Sequence, residues 1–427
     1  MGLGIIVSAV KYPLYLHFLG YEHYGAWLLL STVLTFAQMG LLGIAPAITK
    51  LVAEEFEQNN TQAIQQYFTT ALWMLVAVGA ILLGVSIIFK WQIISLMGLT
   101  GDNAVIIDGL FIYMLIFSIG ILAYQILNSV ISGVGRIDIA NYSQTVLQVL
   151  PLLISVPLLI RGIGVISLLL ANAFAYLVVF WLNLIRVNKI TSLRLTAITA
   201  FSGTKLRKML TFGTSIFAGS ILNMMVVPLT KIIITRHIGL EGVPVFEVAY
   251  RLSMQVRGIF EVAFRALMPE VSRVLTSGCH ESILKVKKTI QKSYRLLATG
   301  VLPIYFAVFL FADIIFKIWL GSNYAETVVD VFRILLAESF VNILAVVSYH
   351  IFIGASETFI IFIYRIIDVA VKLFAITLFI LISSSLLLTH IAWCFVVGSI
   401  ASTSFLLASY YLYNKNNKYY KLHTKQT

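Results

Sequence analysis

Charge is scarce in this chain, and cysteine scarcer. Charged residues make up 11% of its 427 positions and hydrophobic ones 60%, with a mean hydropathy of +0.95. A soluble domain carries about 25% charged residues, so this composition indicates an all-α polytopic membrane protein. Cys279 and Cys394 stand alone. No disulfide framework and no metal-type spacing follows from them, and no metal site or bound cofactor is expected. A Walker A pattern is missing, which argues against direct ATP hydrolysis. No cleavable signal peptide is evident, because Met1 leads straight into apolar sequence containing Lys11 and Pro13.

What is present is a series of apolar runs. Runs of about 17–27 residues can cross a bilayer. Twelve occur, near Leu3–Leu19, Ala26–Ile44, Tyr67–Phe89, Ile106–Ser132, Ser143–Ile160, Gly164–Leu184, Thr211–Ile234, Val243–Leu267, Leu296–Leu320, Val329–Ile353, Phe359–Ile380 and Leu386–Leu412. With the N-terminus inside, eighteen of the 30 Lys and Arg fall on cytoplasmic segments. Only Lys90, Arg161, Arg236 and Lys317 fall on the opposite side. This imbalance puts both termini in the cytoplasm. It also accounts for most of the net charge of +12 without a nucleic-acid partner. Trp91 and Trp319 suit an aromatic belt at the outer interface, and Tyr410, Tyr411 and Tyr413 one at the inner.

The chain repeats itself weakly. Phe18-Leu-Gly-Tyr-Glu-His-Tyr-Gly25 matches His237-Ile-Gly-Leu-Glu-Gly-Val-Pro244 at an offset of 219, and Pro46–Lys50 matches Pro269–Arg273 at 223. Gly135 matches Gly354 at 219. Six runs in each copy make the repeats parallel. The expected organisation is a six-helix bundle over 1–185, a basic cytoplasmic linker over 186–208, a second six-helix bundle over 209–413 and a cytoplasmic tail over 414–427. Shifted by the offset, the seventh run would begin before Met1, so the first helix is expected to lack N-terminal turns, and a start assigned too late is one explanation.

The charges inside the runs are the candidate site. Lys11 and Lys231 are near-equivalents in the first and seventh runs, each beside a helix-bending proline, Pro13 and Pro228. A lysine snorkelling from a helix end accounts for either without a site. On the eighth run, Glu247, Arg251, Arg257, Glu261 and Arg265 fall at about 0°, 40°, 280°, 320° and 0° around a helix. Facing lipid, each would cost about 2.5–3.5 kcal/mol, so the stripe is expected to face a wet cavity. The competing reading leaves these charges at the interface, on a helix whose ends protrude. Arg365, Asp368 and Lys372 share a face of the eleventh run, and the tenth carries Arg333, Glu338, Asn342 and His350. A structural ion-pair network explains these as well as transport does. Glu261, Glu338 and Asp368 are the coupling candidates, with H+ or Na+ both open.

Twelve spans as six plus six, the Leu-Gly-x-Glu-x-x-Gly turn at Leu19–Gly25 followed by Ala26-Trp27, and Gly-x-Gly-Arg at Gly133–Arg136 resemble the polysaccharide flippases. These O-antigen and capsule repeat-unit exporters belong to the multidrug/oligosaccharidyl-lipid/polysaccharide superfamily. The resemblance implies two six-helix bundles around a central cavity, alternating access and a bacterial inner membrane. It implies undecaprenyl-diphosphate-linked oligosaccharide as substrate, with the bilayer, a polysaccharide polymerase and a chain-length regulator as partners. By helix position, the cavity cations would be Lys11, Lys231, Arg251, Arg257 and Arg265, with Arg365 and Lys372 added from the eleventh run. Gln38, Tyr124, Gln125, Asn128 and Gln255 could line a polar lumen for sugar.

Three other readings stay open. A cation-coupled drug exporter would want cavity carboxylates, yet the first six runs contain only Asp108. A peptidoglycan lipid precursor flippase typically has two further helices. A membrane glycosyltransferase or polymerase would need a catalytic carboxylate or a large outer loop, and the outer loops here are short. None of the superfamily readings makes the chain an enzyme.

Overall fold

The computed structural model describes residues 2–39, 43–97, 102–191, 201–264, 280–355, 357–383 and 385–415. Each of the twelve apolar runs is mostly helical over its described residues, with turn or irregular residues at positions such as Gly43, Phe89, Gly164 and Leu386, and no strand occurs among the described residues. Among the described residues, six helices are long and apolar enough to cross a membrane, or up to eight if each of two bent pairs is one span. The chain is a multi-pass membrane protein.

By its internal contacts the chain forms two compact units, Met1–Pro244 and Val245–Thr427. The first contains α1 (Gly2–Met39), α2 (Ile44–Glu57), α3 (Thr61–Ile88), a short α4 (Lys90–Leu96), α5 (Asp102–Gly133), α6 (Ile137–Ile160), α7 (Ile166–Thr191) and α8 (Gly203–His237). At 1.5 Å per residue, the 28 residues of α3 extend about 42 Å, more than a bilayer's hydrocarbon core of about 30 Å. Asn60 starts this helix by accepting from the Ala63 N–H at 3.1 Å, and Ser202 caps α8 through the Lys205 N–H. Helix α8, which the sequence reading puts at the head of the second bundle, packs on α1, α2 and α3.

Side-chain hydrophobicity does not separate the two faces of these helices. On α3, Ile64, Tyr67, Phe68 and Leu75 are buried, while Trp73, Val76, Ile81 and Ile88 are exposed and equally apolar. Lipid is as apolar as the core, so close fit decides which face turns inward. The packed face joins α2, α3, α5, α7 and α8 through Ile48, Phe68, Leu127, Val187 and Met209.

The first two apolar runs are expected as separate helices. They are two helices that meet without a loop at a kink at Gly20, whose φ of 66° is positive. Its repeat equivalent Gly239, at the end of α8, also has positive φ, at 115°. Two turn motifs 219 residues apart thus share a positive φ at the same position.

Helix α9 (Gly242–Phe264) leads into the second unit. There follow α10 (His280–Leu296), a π-turn (Leu297–Val301), α11 (Leu302–Leu320), α12 (Glu326–Leu344), α13 (Val346–Gly354), α14 (Thr358–Ile382) and α15 (Leu388–Lys415). The tenth apolar run is split by a 40° bend between α12 and α13. Helix α15 packs on both α12 and α14. Phe246 of α9 sets its ring edge-on against Phe395 of α15, centroids 5.4 Å apart.

Candidate functional site

Helices α12, α14 and α15 bring three charges together deep in the second unit. The Lys372 ammonium lies 3.1 Å from Glu338 Oε1 and 2.8 Å from Asp368 Oδ2. Glu338 is 1% exposed and Lys372 5%. Carrying such charges out of water costs several kcal/mol per ion, recovered only with good geometry and further hydrogen bonds. Those bonds are present. Asn342 Nδ2 and Ser399 Oγ both donate to Glu338 Oε1, at 2.8 Å each. Ser402 Oγ donates to Asp368 Oδ1 at 3.1 Å, and Tyr364 OH to Asn342 Oδ1 at 3.2 Å. The Phe395 ring lies 5.0 Å from the ammonium.

Two details shape this cluster. All the donors to the Glu338 carboxylate converge on Oε1, while Oε2 is buried with no hydrogen-bond partner among the described residues. Two carboxylates also share one ammonium, so the ionised cluster carries one residual negative charge. Gly398 lets the helices close around it. A Cβ there would lie 2.4 Å from Lys372 Cγ and 3.0 Å from the Asp368 carbonyl oxygen.

The charges on α9 pair along their own helix. Arg251 donates to Glu247, and Arg257 Nε lies 3.4 Å from Glu261 Oε2. Glu247 is buried at 1% side-chain exposure, whereas Arg251 is 58% exposed. Arg365 donates to the Tyr349 hydroxyl at 2.7 Å. Arg265 lies outside the described residues, as do Pro269–Arg273, Cys279 and residues 416–427.

In the first unit, Lys231 is 4% exposed and donates to the Leu28 carbonyl of α1 at 3.3 Å. Lys11 is half-buried, with its ammonium 5.6 Å from the Tyr15 ring centroid. Tyr15 and Tyr24 are each 1% exposed and meet edge to face at 5.8 Å, and the Tyr15 and Ser155 hydroxyls hydrogen-bond at 2.9 Å. Of the lumen candidates, Tyr124 is 3% exposed against Tyr176.

The structure therefore joins three of the expected site residues, Glu338, Asp368 and Lys372. Sequence reasoning missed Ser399, Ser402, Tyr364 and Gly398. One signal for them was available: Gly398-x-x-x-Ser402 is the small-residue spacing at which membrane helices approach closely.

A family described as polysaccharide biosynthesis protein matches residues 17–329, more than half of the chain. The chain belongs to that family. Among curated proteins, one named "Putative O-antigen transporter" from Shigella flexneri is 23% identical over 144 residues. That stretch is 34% of this chain and 33% of the transporter. Among solved structures, a multidrug resistance MATE family transporter of the MOP superfamily superposes with a TM-score of 0.82 at 16% identity, covering 97% of this chain and 96% of that one. The lipid II flippase MurJ gives 0.67 at 13% identity, covering 96% and 87%. At these identities the likeness establishes the fold of this family member, the one shared by those transporters.

Proposed function

We propose that the chain is a flippase moving undecaprenyl-diphosphate-linked oligosaccharide repeat units from the cytoplasmic to the outer leaflet of a bacterial inner membrane. Twelve spans in two six-helix bundles would alternate access to a central cavity, with both termini cytoplasmic. The family match supports this reading. The observation that carries it over drug export is the state of the carboxylates. Glu247, Glu261, Glu338 and Asp368 are each ion-paired with a cation of the chain. A cationic drug would have to break those pairs. Arg251 is 58% exposed while its partner Glu247 is 1% exposed, so that pair offers a diphosphate its cation and hides its carboxylate, and Lys231, Arg257, Lys11, Arg265, Arg365 and Lys372 complete the cationic set. Several modest contacts along a path hold an anion and release it again better than one tight clamp.

Glu338 and Asp368 remain the coupling candidates, with Glu261 beside them. A proton or Na+ arriving there competes with the Lys372 ammonium. Glu338 Oε2 is the one carboxylate oxygen of that pair with no competing donor among the described residues. Coupling would therefore enter at that atom.

The test is restoration of surface polysaccharide in a flippase-deficient cell. Wild type is expected to restore it, and Lys231→Ala and Arg257→Ala at equal expression to reduce export tenfold or more. Failure of the wild type, together with drug efflux or rescue of a strain lacking its lipid II flippase, would overturn the reading.

A further inference from the structure

The first unit carries another basic feature, on helices that hold neither Lys11 nor Lys231. The start of α6 and the end of α7 enclose an open groove of about 560 Å³, lined by Arg136, Asp138, Tyr142, Arg186 and Lys189 with Ile139 and Ile190. Arg136 is fixed there by two hydrogen bonds, Nε to Asp138 Oδ1 at 2.9 Å and Nη2 to Oδ2 at 2.8 Å. That hydrogen bond, with the carboxylate charge, holds the guanidinium above its ordinary value. Arg186 and Lys189 have no ion pair among the described residues. They stand three apart on α7 and so are neighbours on its surface. Three cations against one carboxylate leave the groove net positive.

The apolar half of the argument lies on the same helix. Trp181, Leu182 and Ile185 are 55%, 45% and 53% exposed. Trp181, Ile185 and Lys189 follow one another at intervals of four, and so do Leu182 and Arg186. One face of α7 therefore passes from apolar to cationic within about 12 Å. Tyr142, 64% exposed, stands at the groove as an interfacial aromatic does. A free phosphate or an acidic peptide would use the cations and leave the apolar strip unemployed. An amphiphile uses both, laying an acyl chain along Trp181 and Ile185 with its phosphate on Arg186 and Lys189.

We infer that this groove is a binding site for an anionic glycerophospholipid of the surrounding bilayer, headgroup in the groove and chain along α7. The site needs only that the chain sits in a membrane, so it stands or falls apart from the transport reading.

The test is native mass spectrometry of the full-length protein in detergent with equal amounts of cardiolipin, phosphatidylethanolamine and polyprenyl diphosphate. Cardiolipin is expected to stay bound in preference to both others. Arg186→Gln with Lys189→Gln is expected to lower its retention about tenfold or more. Arg186→Lys with Lys189→Arg should keep it, as should Lys288→Gln with Lys292→Gln, an equal loss of charge on α10. Equal retention of phosphatidylethanolamine, equal losses in the two glutamine doubles, or preferential retention of polyprenyl diphosphate would each overturn the assignment.

Discussion

Gly25 and Leu240 meet so closely that a Cβ on Gly25 would stand 2.1 Å from the Leu240 carbonyl oxygen. Pro244, the repeat equivalent of Gly25, is the next neighbour, its Cδ 3.3 Å from that Cβ position. The two copies of the turn motif therefore touch at corresponding residues. Gly25→Ala has to push backbone against backbone. We expect a destabilisation of about 1–3 kcal/mol, as overpacking gives elsewhere, read as a lower melting temperature in detergent. A variant melting with wild type would show that the turns can part freely.

Lys372 holds two carboxylates that have little access to water. Lys372→Met strands both, and breaking a buried pair in this way costs about 3–5 kcal/mol. Adding Glu338→Gln and Asp368→Asn removes the stranded charge and should recover most of the loss. Thermal unfolding of the single and triple variants measures this. A triple variant no more stable than the single would contradict it.

Gly398→Val tests the close approach of α14 and α15. Its side chain meets Lys372 Cγ and two backbone atoms of α14. We expect a loss of about 1–3 kcal/mol and a fall in polysaccharide export beyond that of Ile400→Val, an exposed position on the same helix.

Two ion pairs offer a charge-reversal test. Lys90 Nζ lies 2.6 Å from Asp108 Oδ1, and Arg333 Nη2 lies 2.5 Å from Asp313 Oδ2. Each is partly exposed, so a single substitution should cost only about 0.2–1 kcal/mol. Lys90→Asp is expected to lower the melting temperature slightly, and Lys90→Asp with Asp108→Lys to return it. The double variant remaining as low as the single would mean the pair does not couple.

Helix positions were legible because apolar runs of membrane length announce themselves. So was part of the cluster: Asp368 and Lys372 stand four apart on one face, and Glu338 is a carboxylate in an apolar run. Its hydroxyl partners were not legible, since serine in a membrane helix is common and periodicity does not say which helices will be neighbours. The eighth-run stripe shows the same limit. Angle alone placed Glu247 and Arg251 together, yet one is 1% exposed and the other 58%. Depth depends on what packs alongside. The turn at Leu19–Gly25 was legible from its glycines, but its compression to a kink at Gly20 alone was not, because a short turn and a single positive-φ residue look alike in sequence.

Set against each other by sequence offset, the two ion pairs have opposite polarity. Lys90 corresponds to Asp313 at an offset of 223, and Asp108 to Arg333 at 225. A chain of many similar apolar helices risks joining a helix to the wrong mate while it threads into the bilayer. Here such an exchange would set Lys90 beside Arg333, or Asp313 beside Asp108. Like would face like, and correct assembly is favoured by the sign of two side chains.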